Sequence, residues 1–204
     1  MPTERFLNLP PEKQQTVLDA AKKELCDNSY DDLSINRIVK EAGISRGSFY
    51  EYFADKDDLI EYIMRGYCSM MEGLYQHYFV EGKFDVFAVV PKIVSLAMEY
   101  CIREGEEALF RNLFSCLRMS RTYSFEWLFE NERNIVRAGL SFVDRSTLKD
   151  PSDGAVAVLL DMVAVLTRNS MARIFSDHEN REKHFADFLS SLELIRNGAC
   201  STEQ

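Results

Sequence analysis

The sequence predicts an all-α protein in two parts, a short N-terminal unit of three helices and a longer helical domain behind it. Three observations carry that prediction. Apolar residues recur at helical spacing along nearly the whole chain. No segment sustains strand-like alternation between hairpin turns, so a sheet is not expected. Proline is rare, five in 204 residues, and is expected at element edges: Pro10 and Pro11 before the first long helix, then Pro91 and Pro151. With 46% hydrophobic residues the chain can bury a real core, and its length suits one small and one medium domain. No internal repeat or low-complexity tract interrupts it.

The first helix is expected to open at Pro11, whose fixed φ suits the first helical position, with Glu12 complementing the helix dipole. Val17, Leu18, Ala21 and Leu25 then form one apolar face, and Asp27-Asn28-Ser29 ends it. A short second helix follows with Ser34 as N-cap and Ile35, Ile38, Val39 and Ala42 as its buried stripe. Gly43 stops it. Ser45 caps a third, very short helix running to about Tyr52. Asp55 caps a fourth, with Asp58 in a capping-box position, and this helix continues to about Tyr78. Gly66 and Gly73, seven apart on it, would allow close helix approach or bending.

The chain carries 24 basic against 33 acidic side chains, a net charge of −9. Acidity of that size argues at first against a nucleic-acid partner. Its distribution reverses the argument: Ser34 to Lys56 holds four basic residues (Arg37, Lys40, Arg46, Lys56) against three acidic ones. The five cysteines are scattered, with no C-x-x-C pair, which points to reduced thiols rather than disulfides or zinc. His178 and His184 are six apart, off the spacing of four that pairs two ligands on one helix face. They lie in a charge-rich stretch read as the solvated start of the last helix. No apolar run approaches the roughly 20 residues of a membrane span; the longest, Ala155 to Leu166, is interrupted by Asp161. The N-terminus lacks a signal-peptide core. There is no G-x-G-x-x-G, H-E-x-x-H or P-loop. The expectation is a cytoplasmic protein that is not an enzyme and uses no metal or cofactor.

Two short helices joined by a tight glycine turn and packed on a longer one make a helix-turn-helix. The run Ile38-Val39-Lys40-Glu41-Ala42-Gly43-Ile44-Ser45-Arg46-Gly47-Ser48-Phe49-Tyr50-Glu51-Tyr52-Phe53, followed by Lys56 and Leu59, resembles the DNA-binding signature of the TetR (tetracycline-repressor) family. The likeness covers about Glu12 to Ile60. Val39 stands where the family usually has Ala, and Ser29 where a Gly is usual; both lie away from the expected DNA face. Only the N-terminal residues of so short a recognition helix can reach base edges. Arg46 is the first candidate, since a guanidinium can bind guanine O6 and N7 together. Gly47 lets the backbone approach DNA, Ser48 offers a hydroxyl, and Glu51 shares their face. The resemblance adds Asn36 near the groove and assigns phosphate contacts to Ser34, Tyr50, Tyr52 and Lys56; Ser45 stands at the same helix start. Ser34 and Lys56 also sit at helix N-termini, which favour phosphate.

A single unit of this kind reads few base pairs, so a homodimer on a two-fold operator is expected. The helix around 155–175 is apolar almost all round, apart from a narrow stripe of Asp153, Ala157, Asp161, Ala164 and Arg168. The helix around 180–197 carries Phe185, Phe188, Leu192 and Ile195 in one row, with Leu189 beside them. Two such helices from each subunit could form a four-helix interface, where the TetR family dimerises; the same faces could instead pack within one chain. Between Asp57 and Asp150 lie 15 of the 24 aromatics. Tyr78, Phe87, Phe110, Phe114, Tyr123 and Trp127 are the candidate lining of an effector cavity, which the resemblance implies in this region. Its ligand would be apolar or aromatic, with Arg103, Arg118, Glu126 or His77 as possible polar anchors.

The reading is therefore a DNA-binding domain at 1–56 and an effector-binding and dimerisation domain at 57–204. Together they would make a repressor released from an inverted-repeat operator by a small ligand. A ligand-independent regulator or activator stays open, as does a small-molecule binding protein with a non-functional helix-turn-helix.

Overall fold

Helix α2 (Pro11–Asp27) organises the first half of the molecule, because its apolar face gives the short helices something to cover. A computed structural model describes residues 1–79, 84–119 and 139–201. In chain order the helices are α1 (Glu4–Leu7), α2, α3 (Ile35–Glu41), α4 (Arg46–Tyr52), α5 (Lys56–Phe79), α6 (Val86–Arg103), α7 (Glu107–Met119), α8 (Asp153–Ser176) and α9 (Arg181–Ala199). A 3-10 turn, His178–Asn180, joins the last two. Among the described residues extended pairing is limited to two isolated bridges, Phe84 with Val143 and Leu148 with Cys200. The all-α prediction holds.

The expected helix ends are realised by named bonds. Gly43 adopts φ +66°, and beyond it the Ile44 N–H donates to the Val39 carbonyl at 3.0 Å. That is a Schellman closure, which needs a residue without Cβ strain at this turn. The Ser45 hydroxyl accepts from the Ser48 N–H at 2.9 Å. Asp55 accepts from the Asp58 N–H at 2.9 Å, while Asp58 reaches back to the Ala54 N–H at 3.0 Å. Ser34 occupies the N-cap position of α3 but makes no side-chain cap. Its N–H donates instead to Glu24 of α2 at 2.9 Å.

Helix α1 has no counterpart in the sequence prediction. The polar N-terminal stretch hides one anchor, Phe6, which is fully buried with its ring 4.7 Å from that of Phe53 and 5.6 Å from that of Tyr62. Burying one phenylalanine contributes about 2–3 kcal/mol, enough to fix a four-residue helix that has no stability of its own. The first core joins Phe6 to Val17, Ala21 and Leu25 of α2, Ile38 and Val39 of α3, Phe49 and Phe53, and Leu59, Ile60 and Ile63 of α5. It is closed from the far side by Leu109 and Leu113 of α7.

The second core holds Val94, Met98 and Cys101 of α6, Phe110 of α7, Val156, Leu160, Ile174 and Phe175 of α8, and Phe188 and Leu192 of α9. Helix α7 is thus apolar on two faces and serves both cores. Its Asn112 amide donates to the Leu25, Cys26 and Asn28 carbonyls at 2.6, 3.3 and 3.1 Å, satisfying carbonyls that the end of α2 leaves without helical partners.

Several expectations change here. Pro91 lies inside α6 rather than at an edge; it sits early in the helix, where the loss is one N–H that the Phe87 carbonyl would have accepted. A Cβ at Gly66 or Gly73 would meet no heavy atom within 4 Å, so neither glycine marks a close helix approach. The row Phe185, Phe188, Leu192 and Ile195 faces its own chain: Phe188 and Leu192 are buried, and Phe185 and Ile195 pack on the same core. The outward residues of α9 include Leu189 and Leu194. The charge-rich start of α9 is not wholly solvated, for Arg181 is buried and bonds Glu107 at 2.7 Å. Helix α8 is long and apolar enough by composition to cross a membrane. Here it is the central helix of the second core, packed on α6, α7 and α9.

Candidate nucleic-acid interface

The helix-turn-helix is held from behind by a charge. Glu24 of α2 is buried, and its carboxylate takes two bonds from the Arg37 guanidinium, at 2.6 and 2.8 Å, besides the Ser34 N–H. Burial pushes the carboxyl up, but Arg37 and the Ser34 N–H outweigh it and hold the group below the ordinary glutamate range. Arg37 also donates to the Asp32 carbonyl at 2.8 Å. One buried carboxylate thereby ties the start of α3 to α2. The sequence does carry a signal for it: Glu24 follows Val17 by seven and Ala21 by three, so it lies on the buried face.

In front of this brace, α3 and α4 meet through polar side chains. Arg46 donates to the Asn36 Oδ1 at 2.8 Å and to the Tyr50 hydroxyl at 3.1 Å, and its guanidinium lies 5.5 Å from the centre of the Tyr50 ring. Asn36, Arg46 and Tyr50 are all exposed, while Ile38 and Phe49 on the opposite faces are fully buried. Three residues singled out from sequence are therefore joined in one outward network. Ser45 and Ser48 share a hydrogen bond beside it, their hydroxyls 2.9 Å apart. Gly47 faces outward, and a Cβ there would meet nothing nearer than the Ser45 hydroxyl at 3.6 Å. Packing within the chain does not require a glycine at this position.

The other candidates are placed differently. Tyr52 is half-buried, its ring 5.8 Å from that of Phe6. Lys56 starts α5, with its ammonium 3.0 Å from the Tyr30 carbonyl and 4.2 Å from the centre of the Tyr30 ring. Glu51 pairs with Arg5 at 3.0 Å. Val39 is buried, and Ser29 bonds Asp32 in the turn before α3.

The structure also places part of the expected effector lining. Phe114 stacks on Phe175 and Phe110 lies tilted against it, with ring centres 5.0 and 5.2 Å away, and Phe87 packs half-buried on the same core. Arg103 is exposed and bonds Glu104 at 2.9 Å. The side chains of Tyr78, His77 and Arg118, together with Tyr123, Glu126 and Trp127, lie outside the described residues. Burial pushes the Cys101 thiol up to about 11, and burial with Asp27 raises that of Cys26. Neither behaves as an activated thiolate. His184 lies 3.0 Å from the Asp177 carboxylate.

A second polar contact joins the two cores and has no signal in the sequence. Gly105, at φ +67°, closes α6 and presents Glu106, which accepts from Lys22 of α2 at 3.0 Å and from the Tyr67 hydroxyl of α5 at 2.7 Å. Burial and this carboxylate push the Tyr67 phenol far up, so it remains a donor. These partners are far apart in sequence and carry no short-range pattern.

The geometry is that of a helix-turn-helix transcriptional regulator, a DNA-binding protein with its reading helix on one exposed edge. Residues 17–63 match the model of bacterial regulatory proteins of the tetR family. An HTH-type transcriptional regulator of Staphylococcus aureus strain MRSA252 is 26% identical over 132 residues, which cover 61% of this chain and 71% of that protein. Another from S. aureus strain USA300 is 37% identical over 106 residues, 48% of this chain and 57% of its own length. The HTH-type regulator YwcC of Bacillus subtilis aligns over 68 residues, 30% of its length. Among solved structures, the regulatory protein TetR from Rhodobacter sphaeroides superposes with a TM-score of 0.62 at 18% identity, covering 92% of this chain and 98% of that one. A gamma-butyrolactone receptor gives 0.56 at 14% identity, covering 94% and 89%. The tetR-family match thus lies in the N-terminal part of the chain, at residues 17–63, while the solved structures share its fold over nearly the whole length.

Proposed function

We propose that the protein is a homodimeric repressor that leaves an inverted-repeat operator when a small, largely apolar ligand occupies its C-terminal domain. The observation that carries the DNA half is the outward network of Asn36, Arg46 and Tyr50 on the edge that α3 and α4 share. Arg46 is the base reader, supported by Gly47 and Ser48, while Ser34, Ser45, Tyr50, Tyr52 and Lys56 position the phosphate backbone. Residues 1–56 supply this reading surface, and 57–204 hold the effector and the partner subunit. The protein works in the cytoplasm.

Dimerisation is supported by a stripe on α8. Val158, Met162 and Val165 are 59%, 50% and 43% exposed, at spacings of four and three that align them on one face. With Leu189 of α9 they form an apolar surface that a second copy would cover. The effector site is assigned to the aromatic cluster of Phe110, Phe114 and Phe87, with Tyr78, Tyr123 and Trp127 as the further candidates that the sequence supplies. Ligand entry shifts α5, separates the two reading helices and lowers operator affinity.

The test is a titration of operator variants. Arg46→Ala relaxes preference at one base pair by about 1–3 kcal/mol, whereas Tyr50→Phe weakens all sequences alike. An Arg46→Ala protein with unchanged preference at every base would remove it from the reading set. A ligand that raises the melting temperature yet leaves operator affinity unchanged would sink the coupling.

A further inference from the structure

Behind the reading surface, a cleft of about 700 Å³ opens between α2, α5 and α6. That is the size of a small-molecule site. Leu18 and Ile63 give it an apolar wall, and Tyr67 and Tyr100 stand at one end with ring centres 6.5 Å apart. Its charge is unusual for this chain. Lys22 and Arg65 line it with no carboxylate among the lining residues, although the protein as a whole carries −9. Each cation is paired, Lys22 with Glu106 at 3.0 Å and Arg65 with Glu61 at 2.7 Å, by a carboxylate that is not itself among the lining residues. Glu106 is drawn back by two donors, Lys22 and the Tyr67 hydroxyl, and an ammonium with three N–H groups can serve a further acceptor.

We propose that this cleft binds a small aromatic carboxylate, its ring between the tyrosines and the apolar wall and its anionic group at Lys22 and Arg65. The Lys22 ammonium lies 5.0 Å from the centre of the Tyr67 ring, so a ligand ring packs against the half-buried Tyr100 while its carboxylate meets the cation in a charge-assisted contact. The site meets the Phe110 cluster at Tyr67 but is built from different residues. An occupant touches α2 of the helix-turn-helix unit and α6 of the C-terminal core at once, and so holds the angle between them.

Naphthalene-2-carboxylate, added to the full-length protein, tests this with calorimetry and with iodoacetamide labelling of Cys68, which lines the cleft. The expected result is binding that slows Cys68 alkylation at least about fivefold while leaving Cys200 unchanged. The neutral naphthalene-2-carboxamide binds at least about tenfold more weakly, as loss of a charge-assisted contact requires. Gly66→Trp abolishes binding without lowering the melting temperature, because the position is open. Lys22→Met brings acid and amide to similar affinity. The proposal is overturned if the acid fails to protect Cys68, if acid and amide bind the native protein equally, or if Gly66→Trp leaves the affinity unchanged. Operator affinity of the ligand-free native protein is measured alongside, so a failure of DNA binding is read separately.

Discussion

The core around Phe49 and Ile38 turns mainly polar groups outward, whereas the core around Phe175 and Phe188 leaves Val158, Met162 and Val165 of α8 in the open. In the first, short helices are fixed by caps, a glycine turn and one buried carboxylate, and the outer face is free to carry Asn36, Arg46 and Tyr50. In the second, long helices supply ample apolar surface, more than the described residues cover. The unit that presents polar groups closes on itself; the other leaves an apolar face open, the face proposed above for a second copy.

The comparison breaks most visibly at α8. Met162→Asp places a charge on the exposed stripe, so the fold persists while sedimentation shows a monomer. Operator affinity then drops by on the order of 100-fold, the scale of avidity lost when two half-sites no longer act together. A dimer that survives this change would place the interface elsewhere.

Next in size is the brace behind the reading helices. Glu24→Gln removes charge-assisted bonds to Arg37 and lowers stability by about 2 kcal/mol, read as a fall of roughly 4–8 °C in melting temperature. The same carboxylate makes stability depend on pH. Its folded value is depressed, so its contribution is complete above the ordinary glutamate value of about 4.3. That contribution fades as pH falls through the lower folded value, and the Gln variant should lose this acid-range slope.

A smaller effect is expected at the joint between the cores: Asn112→Ala leaves three carbonyls at the end of α2 without this donor and costs about 1 kcal/mol in chemical denaturation. Smallest in stability, and opposite in sign, is Gly47→Ala. The helix gains up to about 1 kcal/mol, since no neighbour resists the new methyl. Operator binding weakens about tenfold, the low end of inserting a methyl into a close-packed contact. A Gly47→Ala variant that binds DNA as tightly as the native protein would show that no backbone approach happens there.

What can be read from sequence follows the range of the interactions. Ser45, Gly43 and Asp55 act within four residues, so their caps and turn are visible in the sequence. The α9 row is legible as apolar but not in its choice of partner, because periodicity tells which face is buried and not what covers it. Phe6 escapes detection since a lone aromatic has no period. Arg181, Asn112 and the Lys22–Glu106–Tyr67 contact join residues dozens of positions apart, and no local pattern announces them.

Helix α7 ties the two cores into one unit. Leu109 and Leu113 belong to one core, while Phe110 belongs to the other and Phe114 packs against it. Neither half can melt while leaving α7 seated, so heat should dismantle the chain in a single cooperative transition with one calorimetric endotherm. A fragment ending at residue 79 would lack the two leucines that seal its interior. It should be a loosely packed species that binds hydrophobic dyes, rather than an independent reading head.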